Sequence, residues 1–299
     1  MIGAVAAEPV GTDAIALATA GRRSVLRRVW ARPNGRAGCI ILAVVVLLGL
    51  ASLVGLSPYA PNAQNTFDGL KGPSGSHLFG TDTYGRDLFS RVQSGIVLSL
   101  EISVMAVAIC TLVGTLGGIA AGYLGGWLSG TIMGAADVLF AVPSVLLALA
   151  IVTGLGQGAF DSALAVGVGY TPIFVRVVRG PVLALRDADF VRAGRLLGFS
   201  RRRVLFRHVL PSVSGVLAVQ VTLALGWAVL TEASLSFLGL GPAPPAASLG
   251  LMVSDGTSLA GVAWWTLAFP SIAIVALVIG FNLLGDGLRD ALDPTSAGG

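Results

Sequence analysis

The chain has 299 residues, of which 55% are hydrophobic and only 11% are charged. A soluble domain carries about 25% charged residues, so a water-facing globule of this size would lack polar surface. The composition therefore disfavours an ordinary soluble enzyme and predicts a membrane-embedded protein. The net charge of +4 comes almost entirely from arginine, with Lys71 as the single lysine, and we interpret this bias as a coding preference rather than a nucleic-acid footprint.

The first 36 residues are predicted to form a cytoplasmic tail. Residues 1–21 contain no arginine and do not resemble a secretion signal. Residues 22–36 then carry six arginines interleaved with Val25, Leu26 and Trp30. This pattern predicts a basic amphipathic helix lying on the membrane lipid, and a disordered basic tail is the alternative.

Six apolar stretches are long enough to cross a membrane, since a spanning helix needs about 20 mostly apolar residues. The predicted spans are residues 37–56, 97–122, 131–153, 160–179, 212–235 and 263–284. They predict an all-α membrane protein whose six-span domain covers residues 37–294, followed by a tail of residues 295–299.

The distribution of basic residues predicts the orientation. Sixteen of the 19 basic residues lie in the first 36 residues, in the segment from Arg176 to Arg207, or at Arg289. Because basic residues accumulate on the cytoplasmic side, both termini and residues 180–211 are predicted to be cytoplasmic. The loops at residues 57–96 and 238–262 then face outward.

Glycines recur every four residues across the second and third spans. They are Gly114, Gly118, Gly122, Gly126, Gly130 and Gly134. Small residues at this spacing let membrane helices approach closely, so we predict a packing role. Gly126 and Gly130 are expected in the turn between the two spans.

The sequence offers no catalytic or metal-binding constellation. Cys39 and Cys110 lie in apolar runs without further ligands at metal-binding spacing, and we predict neither a catalytic residue nor a metal site. A phosphate-binding G-x-x-x-x-G-K-[ST] loop is also absent from the sequence, so any ATP must bind another chain.

Four acidic residues fall within the predicted spans, where a charge is costly and suggests a function. Glu101 and Asp161 lie near the outer ends and are expected to be solvated. Asp137 and Glu232 lie deeper. Two interpretations stay open for these two: they line a solute path, or they pair with hydroxyl and backbone groups of neighbouring helices.

The cytoplasmic loop at residues 187–211 is predicted to form two short helices. The first places Phe190, Ala193 and Leu197 on one face, and Gly198 ends it in a left-handed turn. The second leads to Pro211, at the start of the fifth span, a position that proline favours. The apolar face of such a helix pair needs a cytoplasmic partner.

This loop resembles the EAA motif of ABC importer permeases. The triplet corresponds to residues 192–194, the motif glycine to Gly198, and the final Leu-Pro pair to residues 210–211, all at the family spacing, although Arg192 replaces the usual acid. The residues that the resemblance assigns to ATPase coupling are Phe190, Arg192, Ala193, Gly194, Leu197, Gly198, Phe199, Leu210 and Pro211.

Three further stretches resemble the C-type permease subunit of dipeptide and oligopeptide importers. They are HLFGTD at residues 77–82, EASLSFLGLG at 232–241 and NLLGDGLRD at 282–290. The resemblance covers residues 22–294. It implies the type I ABC importer permease fold, a plasma (inner) membrane location and no enzymatic activity of the chain itself.

The same resemblance implies the partners and the mechanism. A second homologous permease, two ATPase subunits that bind ATP and Mg, and an extracytoplasmic solute-binding protein would complete an importer of dipeptides or oligopeptides working by alternating access. No cofactor is expected in this chain. The alternative is a self-contained secondary transporter or channel, which would predict repeated halves and activity without an ATPase.

Overall fold

The computed structural model describes residues 21–186, 188, 203 and 209–292. This part of the chain is helical, with no β-strand among the described residues. Its helices are α1 (Gly21–Ala31), α2 (Pro33–Leu53), α3 (Leu88–Tyr123), α4 (Gly126–Ala141), α5 (Ser144–Leu155), α6 (Ala159–Arg186), α7 (Leu210–Phe237), α8 (Leu249–Thr257) and α9 (Trp265–Leu292).

The predicted all-α membrane architecture is confirmed. Helices α2, α3, α6, α7 and α9 are each long and apolar enough to cross a membrane. Helices α4 and α5 make a sixth crossing when they are counted as one span, but they meet at an angle of 91°.

The third predicted span, residues 131–153, is therefore not one helix but two that meet at a sharp bend. Val142 is extended, with φ −93° and ψ 129°, and Pro143 precedes the first residue of α5. A proline sterically disfavours the helical region for the residue before it, which explains why the helix stops here.

Several predicted loop bounds also differ from the structure. The loop predicted at residues 57–96 ends at Asp87, because this side chain accepts a hydrogen bond from the Ser90 amide and starts α3. The loop predicted at 238–262 contains α8. The loop predicted at residues 180–211 is shorter than expected, since α6 extends to Arg186 and α7 begins at Leu210.

The basic helix predicted before the first span corresponds to α1. Arg32 is extended, with φ −87° and ψ 134°, and Pro33 occupies the first turn of α2. Helix α1 thus ends where a proline follows, and α2 begins with a residue suited to a helix start.

Only half of the glycine stripe packs helices together. A Cβ atom at Gly114, Gly118 or Gly122 would lie within 2.3 to 2.8 Å of atoms of Phe174, of Val175 and Val178, or of Val182, all in α6. A Cβ at Gly126, Gly130 or Gly134 would meet no atom within 4 Å. Gly130 was expected in a turn but lies inside α4, because the turn is made at Gly125 and Gly126, with φ values of +67° and +60°.

Three apolar clusters hold the described helices together. One lies among α3, α5, α6 and α7 around Phe174, and another lies among α2, α3, α7, α8 and α9 around Leu277. A smaller third cluster lies among α3, α6 and α7 around Val182. Helices α2 and α9 approach closely at glycines, since a Cβ at Gly38 would lie 2.5 Å from the Leu284 amide nitrogen. Helix α7 contributes buried residues to all three clusters, among them Val213, Ala224 and Val229.

Candidate functional site

Most of the predicted coupling residues lie outside the described part of the chain. They are Phe190, Arg192, Ala193, Gly194, Leu197, Gly198 and Phe199. Leu210 and Pro211 are described and form the first turn of α7. The preceding Val209 is fully buried in a cluster with Val178 and Val182 of α6, so the end of the predicted loop is anchored in the bundle.

Asp137 forms an ion pair rather than standing alone. Its Oδ1 accepts a hydrogen bond from Nη2 of Arg176 over 2.7 Å, which joins α4 to α6. The Arg176 guanidinium also lies 4.1 Å from the centroid of the Phe140 ring. The side chains of Asp137 and Arg176 are 59% and 37% exposed, so the pair stands on an open face of the chain.

A cavity of about 490 Å³ opens beside this ion pair, where α4 breaks into α5. Its lining residues come from both sides of the break and from α6 and α7; they are Leu139, Phe140, Val142, Pro143, Ser144, Gly169, Tyr170, Ile173, Gln220, Leu223, Ala224 and Trp227. None of these residues is charged. The broken span thus forms one wall of an apolar cavity with a few polar groups.

A second cavity of about 440 Å³ continues along α7 towards Arg289 of α9. It shares Gln220 and Leu223 with the first cavity. We call the two cavities together the α6–α7 groove. The α7 residues that line it include Val216, Gln220, Leu223 and Trp227, which share a helix face because they are three or four positions apart.

The groove is open on one side of the described chain. Trp227 is 57% exposed and Phe140 is 52% exposed, although both lie within apolar helices. In a membrane-spanning helix such side chains face either lipid or another protein. Gln220 was not among the predicted site residues, and its signal in the sequence is a lone carboxamide inside an apolar span.

Glu232 lies elsewhere, in a fully buried cluster of hydroxyl groups. Its side chain accepts hydrogen bonds of 2.8 Å from Ser99 of α3 and from Ser236 of α7, and the Ser248 hydroxyl lies 3.5 Å away. Ser248 caps the N-terminus of α8. Of the two interpretations of Glu232, pairing with neighbouring hydroxyls is therefore observed, and a role in a solute path stays a prediction.

The segment before α3 is held by buried polar contacts. Nδ1 of His77 lies 2.8 Å from Oδ1 of Asp87, and Asp87 also caps α3. Asp82 pairs with Arg86 over 2.6 Å. These contacts fold residues 77–87 onto the start of α3.

A second set of contacts ties the same segment to α9. The indole of Trp265 donates a hydrogen bond of 3.1 Å to the carbonyl oxygen of Thr81. The stretch HLFGTD at residues 77–82 is thus part of a fixed structure and not a free loop.

Earlier in the same segment, at the surface, a hydrogen bond from Lys71 lowers the pKa of Asp68.

Comparison with known proteins places this architecture among transport proteins. Residues 114–297 match the family described as binding-protein-dependent transport system inner membrane component. A dipeptide transport system permease protein, DppC, of Alkalihalophilus pseudofirmus is 42% identical over 258 residues, covering 86% of this chain and 84% of the relative.

Two further relatives agree. A putative peptide transport system permease protein of Brucella suis is 39% identical over 272 residues and 90% of each chain. The glutathione transport system permease protein GsiD of Escherichia coli is 42% identical over 259 residues and 86% of each chain. The similarity thus spans nearly all of the helices described above.

Proposed function

The chain belongs to the family of binding-protein-dependent transport system inner membrane components, and from this premise we propose that it forms half of the path through which an ATP-driven importer moves peptides. One observation carries the proposal. Relatives similar over at least 84% of their own length are named as permeases for dipeptides, peptides or glutathione. These cargoes share a peptide backbone, so peptides are the substrate class that we assign to this chain.

The proposed complex contains a second homologous permease, two ATPase subunits that bind ATP and Mg, and an extracytoplasmic solute-binding protein. The sequence supports the ATPase partners because it has no phosphate-binding loop of its own. The open α6–α7 groove supports the second permease, since a half-groove with exposed aromatic residues needs a facing wall to form a closed path.

Alternating access is the proposed mechanism. ATP binding closes the ATPase pair and moves the coupling loop at residues 187–211. Helix α7 begins at the end of this loop, lines the groove at Gln220 and ends beside the buried Glu232 cluster. A displacement of its first turn therefore reaches the groove through one rigid element.

We also propose that the protein resides in the plasma (inner) membrane with both termini in the cytoplasm. The distribution of arginines supports this orientation. Residues 57–87 and α8 would then face the solute-binding protein.

Uptake by the reconstituted complex tests the function. Proteoliposomes that contain both permeases and the ATPase subunits, with the binding protein outside, should accumulate radiolabelled tri-alanine only when ATP is inside. Omission of the ATPase subunits should abolish uptake. Accumulation of the peptide by this chain alone, without ATP, would instead favour a secondary transporter or channel.

A further inference from the structure

Gln220 is an uncharged hydrogen-bonding group placed in the middle of a membrane helix. It lies ten residues after Leu210, which is about 15 Å along α7 from the helix start. Its side chain is partly buried and lines both cavities of the α6–α7 groove.

Within the described part of the chain, the Gln220 carboxamide has no hydrogen-bond partner. Two polar groups near Gln220 differ in this respect. The Tyr170 hydroxyl lies 3.3 Å from Thr231 Oγ1, and beside the groove Arg176 pairs with Asp137. Gln220 therefore offers an unpaired donor and an unpaired acceptor to a molecule in the groove.

The walls around Gln220 are apolar and aromatic. Phe140 and Trp227 flank the cavity of about 490 Å³, whose lining carries no charge. This volume lies within the range of small-molecule sites, which combine apolar walls with a few polar groups that set orientation. Such walls accept ligand side chains of different shape. A carboxamide, in contrast, can form hydrogen bonds with the backbone amide, which all peptides share.

We propose that Gln220 contacts a backbone amide of the transported peptide. Its Nε2 donates to a peptide carbonyl and its Oε1 accepts from a peptide N–H, while Phe140 and Trp227 contact the peptide side chains. This inference rests on the proposed function and deepens it by naming the residue that recognises the substrate class. The groove would thus recognise peptides through the backbone with little dependence on their sequence.

The matched variants for the test are Gln220→Leu and Thr222→Val. The first removes the carboxamide from the groove. The second removes a hydroxyl from the same helix, but this hydroxyl donates to the Ala218 carbonyl of its own helix and lies outside the groove. Both variants are assayed in the complete complex with its binding protein, using radiolabelled tri-alanine and a tri-alanine methylated on its backbone nitrogens.

Gln220→Leu should lower tri-alanine uptake by about three- to tenfold, the size expected for one or two hydrogen bonds. It should also remove discrimination against the methylated peptide at the permease, so that the ratio of the two uptake rates moves towards one. Thr222→Val should match the wild type in both respects. Wild-type rates and an unchanged ratio in Gln220→Leu would overturn this inference alone, whereas a wild-type complex that transports neither peptide would overturn the proposed function.

Photo-crosslinking gives a second measurement that leaves Gln220 in place. A benzophenone amino acid replaces Phe140 in the groove or, as a control, Val44, which is 61% exposed on α2 away from the groove. A covalent adduct with labelled tri-alanine at position 140 and none at position 44 supports a peptide in the groove. Adducts at position 140 with lipid or the second permease, without any peptide adduct, would overturn the inference.

Discussion

The hydroxyl of Ser99 donates a hydrogen bond to the carboxylate of Glu232 over 2.8 Å, although the two residues are 133 positions apart. This contact joins α3 to α7. Because Ser248 lies 3.5 Å from the same carboxylate and caps α8, one fully buried acid connects three helices. A buried carboxylate is tolerated only when hydrogen bonds replace its lost hydration, and the three serines supply them.

Replacement of Glu232 by leucine is expected to destabilise the protein. It would leave three serine hydroxyls without their acceptor, at a cost of about 1–3 kcal/mol, which corresponds to a Tm lower by about 2–12 °C. Thermal unfolding of the purified complex measures this effect. Glu101→Leu is the control, since Glu101 is exposed on α3 and its removal should leave Tm unchanged.

The Glu232→Gln variant separates the two interpretations of this acid. A glutamine keeps a carbonyl acceptor and adds donors that serine oxygens can accept, so Tm should fall less than in Glu232→Leu. If the charge of Glu232 serves the solute path, uptake in Glu232→Gln should fall while Tm and complex yield stay normal. Normal uptake together with normal yield would show that the charge is dispensable.

The membrane helices could be predicted from sequence because continuous apolar runs carry that signal locally. The break at Pro143 could not be predicted in the same way. Hydropathy does not report the direction of a helix axis, and a proline alone does not show a break, since two prolines lie inside the unbroken α6. The proline was visible in the sequence, but its effect depends on packing around it.

The site could be predicted only in part. Glu232 and Asp137 stand out because an acid is rare within a membrane span. Their partners Ser99 and Arg176 are distant in sequence, so the pairing emerges only from the fold. Gln220 carries no charge, and its importance follows from the groove that α6 and α7 form around it.

The glycine stripe gives a prediction with an internal control. A Cβ at Gly118 would lie 2.7 Å from the Val175 carbonyl oxygen of α6, whereas a Cβ at Gly134 of α4 would meet no atom within 4 Å. We therefore expect Gly118→Ala to cost about 1–3 kcal/mol through overpacking. Gly134→Ala should be neutral or stabilising by up to about 1 kcal/mol, since alanine favours helix. Equal Tm values for both variants would contradict the close approach of α3 and α6.

Cysteine accessibility tests the proposed orientation. On a background in which Cys39 and Cys110 are replaced by alanine, Ser74→Cys should react with a membrane-impermeant maleimide in intact cells, because Ser74 lies in the exposed segment before α3. Ser200→Cys should react with this maleimide only after the membrane is permeabilised. The reverse pattern would place the arginine-rich loop outside and overturn the orientation.

The coupling loop gives a prediction that rests on the sequence, because Gly198 lies outside the described residues. A β-branched residue in the expected left-handed turn is strained by about 1–2 kcal/mol, which should redirect the second short helix without affecting the spans. Gly198→Val should therefore assemble with the second permease but lose stimulation of ATP hydrolysis by loaded binding protein. Arg192→Glu, which restores the family's usual acid, should be much milder. Wild-type stimulation in Gly198→Val would remove the loop from the coupling role.

The broken span between α4 and α5 gives a distance that can be measured. Spin labels at Ser129→Cys and Thr153→Cys, on the cysteine-free background, stand about 24 Å apart along two helices at a right angle and would stand about 36 Å apart along a straight helix. Pro143→Ala removes the steric restriction on Val142 and supplies a backbone N–H, so the two helices can merge.

Pro143→Ala should therefore shift the distance distribution between the spin labels towards the longer value, as measured by pulsed electron–electron double resonance. Straightening would move Phe140 and Val142 out of the α6–α7 groove, so uptake of tri-alanine should fall while membrane insertion stays normal. The control is Pro172→Ala, because Pro172 lies inside the unbroken α6 and its removal should leave the distance between the labels unchanged. A short distance in both variants, with normal uptake, would show that packing against α6 holds the bend without Pro143.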